Sequence, residues 1–107
     1  MERRYYKAIN FDLDTVRLRE YYPRYQQAYN DLLRFFKSNG FYHRQGSGYV
    51  SKDKLNSGDV MLLMEDFRKT FSWSSVCVKK IDVTNVGSQY DLVPALTPNE
   101  EADSFEL

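Results

Sequence analysis

One cysteine, Cys77, and one histidine, His43, are all that the 107 residues offer of those two metal-binding side chains. A single thiol cannot close an internal disulfide, and one His with one Cys cannot build a zinc site of the usual spacing. No run of about 18 apolar residues occurs, so no transmembrane helix is expected. The opening residues Met1-Glu2-Arg3-Arg4-Tyr5-Tyr6-Lys7 have no apolar core behind their charges, so no secretory signal is read there. A lone thiol without an export signal fits the reducing cytoplasm. Also missing are the Gly-Lys-Ser/Thr ending of a P-loop and the Gly-x-Ser-x-Gly of a nucleophile elbow. Net charge is zero, from 15 Lys and Arg against 15 Asp and Glu.

That neutrality hides an asymmetry. Residues 1–54 carry 11 Lys and Arg against 6 Asp and Glu, a surplus of five positive charges, and residues 55–107 carry 4 against 9, the reverse. A polyanion could meet the first half, or the two halves could mix into an ordinary solvated surface. Aromatics are plentiful, with nine Tyr, seven Phe and one Trp, enough for a tight core or for a surface that stacks on bases or on a second chain. The length allows one core. Residues 1–96 read as a single domain. Residues 97–107, with Glu100, Glu101, Asp103 and Glu106, read as an acidic, disordered tail.

Periodicity gives the elements. In residues 7–13, Ile9, Phe11 and Leu13 alternate with Ala8, Asn10 and Asp12, the pattern of a half-buried strand. A helix is expected from Pro23, with a stripe of Tyr25, Ala28, Tyr29, Leu32, Leu33 and Phe36 and with Gly40 as its left-handed cap. Residues 41–45 and 49–51 around Gly46-Ser47-Gly48 predict a hairpin. Asn56 or Ser57 caps a second helix whose stripe is Val60, Leu63, Met64, Phe67 and Phe71. Residues 75–86 are β-branched and strand-like, with a slip near Lys79-Lys80 that predicts a bulge or a second strand. The order β-α-β-β-α-β is that of the ferredoxin-like α+β fold. An antiparallel sheet with both helices on one face follows, because each helix has one apolar stripe. Its open side is expected to dimerise.

Candidate chemistry gathers in two places. Asp12 and Asp14 end the first strand two residues apart, a spacing that puts both carboxylates within reach of one divalent cation, or that simply ends the strand in a turn. Gln45-Gly46-Ser47-Gly48-Tyr49 offers backbone N–H groups and a hydroxyl for a phosphate, or only the glycine of a hairpin. His43 could shuttle protons or stand as a solvated edge residue. Cys77 reads as a small buried apolar side chain.

The run Tyr6-Lys7-Ala8-Ile9-Asn10-Phe11-Asp12-Leu13 resembles the opening strand of the VapD (virulence-associated protein D) family. Gln27-Ala28-Tyr29-Asn30-Asp31-Leu32, Arg44-Gln45-Gly46-Ser47-Gly48-Tyr49, Phe71-Ser72-Trp73 and Asp91-Leu92 resemble later signatures of that family, in order. The resemblance implies a ferredoxin-like homodimer related to the small CRISPR adaptation proteins. It also implies an endoribonuclease, often the toxin of a toxin–antitoxin pair, hence RNA and an antitoxin protein as partners. It places the strand-end aspartate on Asp12 and the hairpin serine on Ser47. Where the family shows Arg-Asp-Ile in the last strand, this chain has Lys79-Lys80-Ile81-Asp82, so the acid becomes Lys80 or moves to Asp82.

The expected machinery is Asp12 as base or as ligand of a Mg2+ ion, shared with Asp14 if one is used. Ser47 serves as phosphate donor, Arg44 stabilises charge, and Asp82 is a further catalytic candidate. Gln45, Tyr49 and Lys52 are expected to bind nucleic acid. With the first and third strands taken as parallel, Ser47 would sit about 17–20 Å from Asp12 along the sheet, so a complete site would need two chains. The alternatives are a non-catalytic nucleic-acid scaffold like the CRISPR adaptation relatives, or a dimeric interaction module that binds no nucleic acid.

Overall fold

A computed structural model of the chain describes residues 3–44, 48–87 and 93–96. The expected acidic tail at 97–107 lies outside them. Among the described residues nine elements follow one another: β1 (Tyr6–Leu13), α1 (Thr15–Leu18), α2 (Tyr25–Ser38), β2 (Phe41–Arg44), β3 (Gly48–Ser51), α3 (Ser57–Thr70), α4 (Ser74–Cys77), β4 (Val78–Val86) and α5 (Val93–Leu96). The strands form one sheet in the order β2-β3-β1-β4, and every neighbouring pair is antiparallel. This is the α+β, ferredoxin-like arrangement that the element order predicts.

The sense of β3 differs from expectation. The crossover through α2 returns the chain parallel to β1, and the tight hairpin then reverses it, so β3 runs antiparallel to β1. Asn10 of β1 faces Gly48 of β3. The β2–β3 turn therefore leaves the sheet at the same end as Asp12, about 7 Å along the strand at ~3.4 Å per residue. The reasoning that required two chains to bring this turn and Asp12 together does not hold.

Alternation in β1 works as its sequence predicts. Ile9, Phe11 and Leu13 are buried under the helices, and Asp12 is exposed on the other face. Lys7 is the polar member of the helix-side row. Its Nζ donates to Asn85 Oδ1 at 2.5 Å and lies 5.5 Å over the Tyr5 ring, while its backbone N–H donates to Ser51 Oγ. The core is aromatic. Phe36 touches Phe11, Phe35, Phe41, Tyr49 and Phe67, and its ring centroid lies 4.3 Å from that of Tyr49.

Three local details depart from the sequence reading. The main helix begins at Tyr25 with Arg24 as its N-cap, so Pro23 precedes the helix. The Arg24 N–H donates to Gln27 Oε1 at 3.2 Å, closing the first turn in its place. Residues 74–77 form a helical turn where strand was expected. Trp73 and Cys77, four apart, are both buried, and the Cys77 N–H donates to the Trp73 carbonyl at 2.9 Å. Residues 93–96 form a further helical turn in a region read as aperiodic. Three expectations hold: Gly40 has φ +82°, Asn56 caps α3, and the β1–β4 register shifts where Lys79 is the extra residue.

Asp14 resolves between its two readings as a cap. Its Oδ1 accepts from the backbone N–H groups of Val16 and Arg17 at 3.1 Å each, starting α1. Asp14→Ala is expected to cost about 1 kcal/mol, the usual worth of an N-cap. A thermal melt should show it as a drop of roughly 4–8 °C in Tm.

Candidate active site

The face of the sheet away from α2 and α3 holds the candidate site, and strand register assembles it. Residues directly opposite in antiparallel strands share a face. One row across the four strands reads Arg44, Gly48, Asn10 and Asp82; the next places Asp12 opposite Lys80. Gly48 has no side chain, so the row has a notch between Arg44 and Asn10. Arg44, Asp12, Lys80 and Asp82 are all exposed. Lys80 Nζ leans along its own strand to Asp82 Oδ2 at 3.8 Å. The Asp12 carboxylate takes no hydrogen bond or ion pair from any described residue. α1 follows at once and adds the exposed Arg17 and Arg19 beyond this end of the sheet.

The expected site residues separate in space. Asp12, Arg44 and Asp82 come together on one face. Gln45 and Ser47 lie outside the described residues, though their turn leaves the sheet at this end. Tyr49 is only 3% exposed and stacks between Phe11 and Phe36 on the helix side, so its ring is closed to a nucleobase. Parity explains this: Tyr49 faces Ile9, a core residue. Lys52 follows β3 at the opposite end, its N–H bonded to the Gly40 carbonyl, far from Asp12 along the strands. His43 pairs with Tyr49 on the helix side, not on the site face.

A divalent ion could rest on Asp12 but not on Asp12 and Asp14 jointly, because the Asp14 carboxylate is committed to α1. Among the described residues no three His, Cys, Asp or Glu gather as a metal site. A Mg2+ held by one carboxylate with water and substrate phosphate completing its shell fits such a donor set.

Tyr29 belongs to the site's surroundings and was read only as part of the α2 stripe. Burial pushes its hydroxyl above the usual 10.0, and the negative charge of Asp12 adds to that rise. Burial likewise raises Tyr49, and burial followed by the hydrogen bond to Asp31 raises Tyr22. The Cys77 thiol is held above 9.0 by burial first, then by the charge of Asp14. Each group stays neutral longer in the folded chain than in the unfolded one. Their contribution is therefore whole below the unfolded values and lost as pH rises through the folded ones. Urea midpoints should hold steady up to about pH 8.5 and fall above about pH 9–10. Tyr49→Phe should flatten part of that fall; an unchanged slope would show that Tyr49 does not contribute.

No family model matches the chain. Two relatives span most of it. "Endoribonuclease VapD homolog" of Helicobacter pylori (strain ATCC 700392 / 26695) is 30% identical over 89 residues, 83% of this chain and 94% of that protein. "Endoribonuclease VapD 2" of Riemerella anatipestifer is 32% identical over 92 residues, 84% of this chain and 98% of that protein. With identity at this level along nearly the full length of both, and the sheet that the element order predicts, the chain belongs to the VapD family.

Proposed function

We propose that this chain is an endoribonuclease that acts as a homodimer, the toxin of a toxin–antitoxin pair whose antitoxin is a second protein. The observation that carries the reading is that both full-length relatives are named endoribonucleases. The geometry supports it. Cleavage needs a base or a metal ligand for the attacking oxygen and donors for the phosphorane oxygens. Asp12 is the exposed carboxylate of this face with no described partner, Lys80 stands across from it, and Arg44 lies at the edge of the same face. Asp12 takes the proton from the ribose 2′-hydroxyl or from water. Lys80 and Arg44 attract the phosphate and offset charge as it grows on oxygen. Ser47, in the turn leaving this end, is a further donor.

A second reading has an observation of its own. Lys80 stands where the resemblance places an acid, and a lysine beside Asp12 suits phosphate binding without chemistry. One experiment separates the two. The purified chain is incubated with mixed-sequence RNA and with DNA of matching sequences, each with and without chelator. Cleavage of RNA alone supports the nuclease. Salt-dependent binding of either nucleic acid without cleavage supports the scaffold. Loss of cleavage with chelator assigns an ion to the reaction.

A further inference from the structure

β4 is an edge strand: it pairs with β1 on one side and with no described strand on the other. It is nine residues long and lacks proline. A strand of this kind offers a row of unpaired N–H and C=O groups to another chain. Its helix-side residues are apolar and open to solvent, Ile81 being 37% and Val83 44% exposed. Beside them on α3, Met61 is 67% exposed. Ile9, Val60 and Met64 complete the walls of a shallow groove between α3 and β4. The site face of the sheet is different in kind, with Arg44, Asp12, Lys80 and Asp82 at one end. A partner stacked there would strip water from four charged groups.

We propose that the free edge of β4 is the seam of a homodimer, with two copies pairing antiparallel about Ile81. The occupant follows from charge and register. Antiparallel pairing of a strand with its own copy is set by one central residue, and each residue then faces the one equally far on the other side. Centring on Lys80 puts lysine on lysine, and centring on Asp82 puts aspartate on aspartate. Centring on Ile81 puts Lys80 of each copy opposite Asp82 of the other, twice, on the same face. The lysines that repel a foreign strand are thus neutralised by a second copy of this chain. The two-fold axis stands perpendicular to the sheet, so both sets of helices stay on one side. Exposed Ile81 and Val83 of the two copies then meet beside the α3 helices. The other side becomes one continuous eight-stranded face carrying both Asp12 sites, so a single RNA strand can cross the two.

This inference specifies the homodimer in the reading above and is independent of its nuclease part, because it is tested by mass and not by cleavage. Light scattering and sedimentation equilibrium are applied to the wild type, Lys80→Glu, Asp82→Lys and an equimolar mixture of the two variants, with far-UV circular dichroism confirming that each is folded. The wild type is expected at twice 12.7 kDa. Each single reversal sets like charges opposite each other at both ends of the seam, and should weaken the dimer by roughly ten- to a hundred-fold. In the mixture one chain carries acids at both positions and the other carries lysines at both. Every facing pair in a heterodimer is then of opposite charge, so a heterodimer should form. A monomeric wild type, a dimer indifferent to both reversals, or a mixture that stays monomeric would each overturn the proposal.

Discussion

Asp12→Asn is expected to reduce RNA cleavage at least a hundred-fold while leaving the fold and the RNA affinity nearly unchanged. General-base catalysis contributes on the order of 10²–10⁴ in rate, and an amide cannot accept the proton. A metal-ligand role predicts the same loss, because an amide oxygen is a far weaker ligand for Mg2+; only then does added metal partly restore the rate. The structural cost is small. Asp12 is exposed, the swap is nearly isosteric, and the carboxylate bonds to no described residue. What is lost is an opposite charge across from Lys80, worth roughly 0.2–1 kcal/mol for a cross-strand pair. Cleavage on a mapped RNA, a melt and a salt titration of binding test the three parts. A variant keeping a tenth or more of the wild-type rate would remove Asp12 from the chemistry. Asp82→Asn should cost less, since Asp82 sits one row away and already has Lys80 beside it at 3.8 Å.

How much of this site was legible depended on the range of the information. The placement of Asp12 on the site face follows from alternation within β1 alone. The four elements with several periodic repeats, β1, α2, α3 and β4, are readable for the same reason. α1, α4 and α5 are four residues each, about one turn, too short for a period to show. The neighbourhood of Asp12 is another matter. Lys80 faces it because a bulge absorbs Lys79, and no local pattern says which strand the bulge will oppose. Tyr49 was misread because a tyrosine beside a glycine-rich turn looks like surface. Its parity with Ile9 across the strand pair puts it in the core, and that parity was available once β3 is taken as antiparallel. The sense of β3 was itself derivable: a crossover followed by a hairpin leaves no other direction. Asp14 shows the opposite case. Its two readings differ only in whether the chain turns into a helix at Thr15, which the buried Leu18 decides through tertiary packing.

The largest expected effect on stability comes from Phe36→Ala, because Phe36 is where the two layers meet. Its side chain is fully buried. On one side it stacks on Tyr49 of β3 and Phe11 of β1, and on the other it meets Phe35 and Phe67 of the helices. Removing the ring loses its transfer energy and leaves a cavity bounded by five aromatic rings, which are too rigid to close it. Substitutions of this type cost about 3–5 kcal/mol. Against a total of roughly 5–15 kcal/mol for a small domain, that is a third of the stability or more. The urea midpoint should fall accordingly with little change in slope, since the folded state still buries nearly the same surface. Phe36→Leu refills part of the volume and should recover a large share of the loss. The effect should also reach the site. The Phe11–Phe36–Tyr49 stack clamps β1 to β3, and these strands carry Asp12 and the start of the turn beside it. Hydrogen exchange should therefore rise in β1 and β3 before it rises in the distal half of β4, where no described ring contact is made. Uniform loss of protection across the sheet would show that Phe36 supports the whole core equally and does not act as this local clamp.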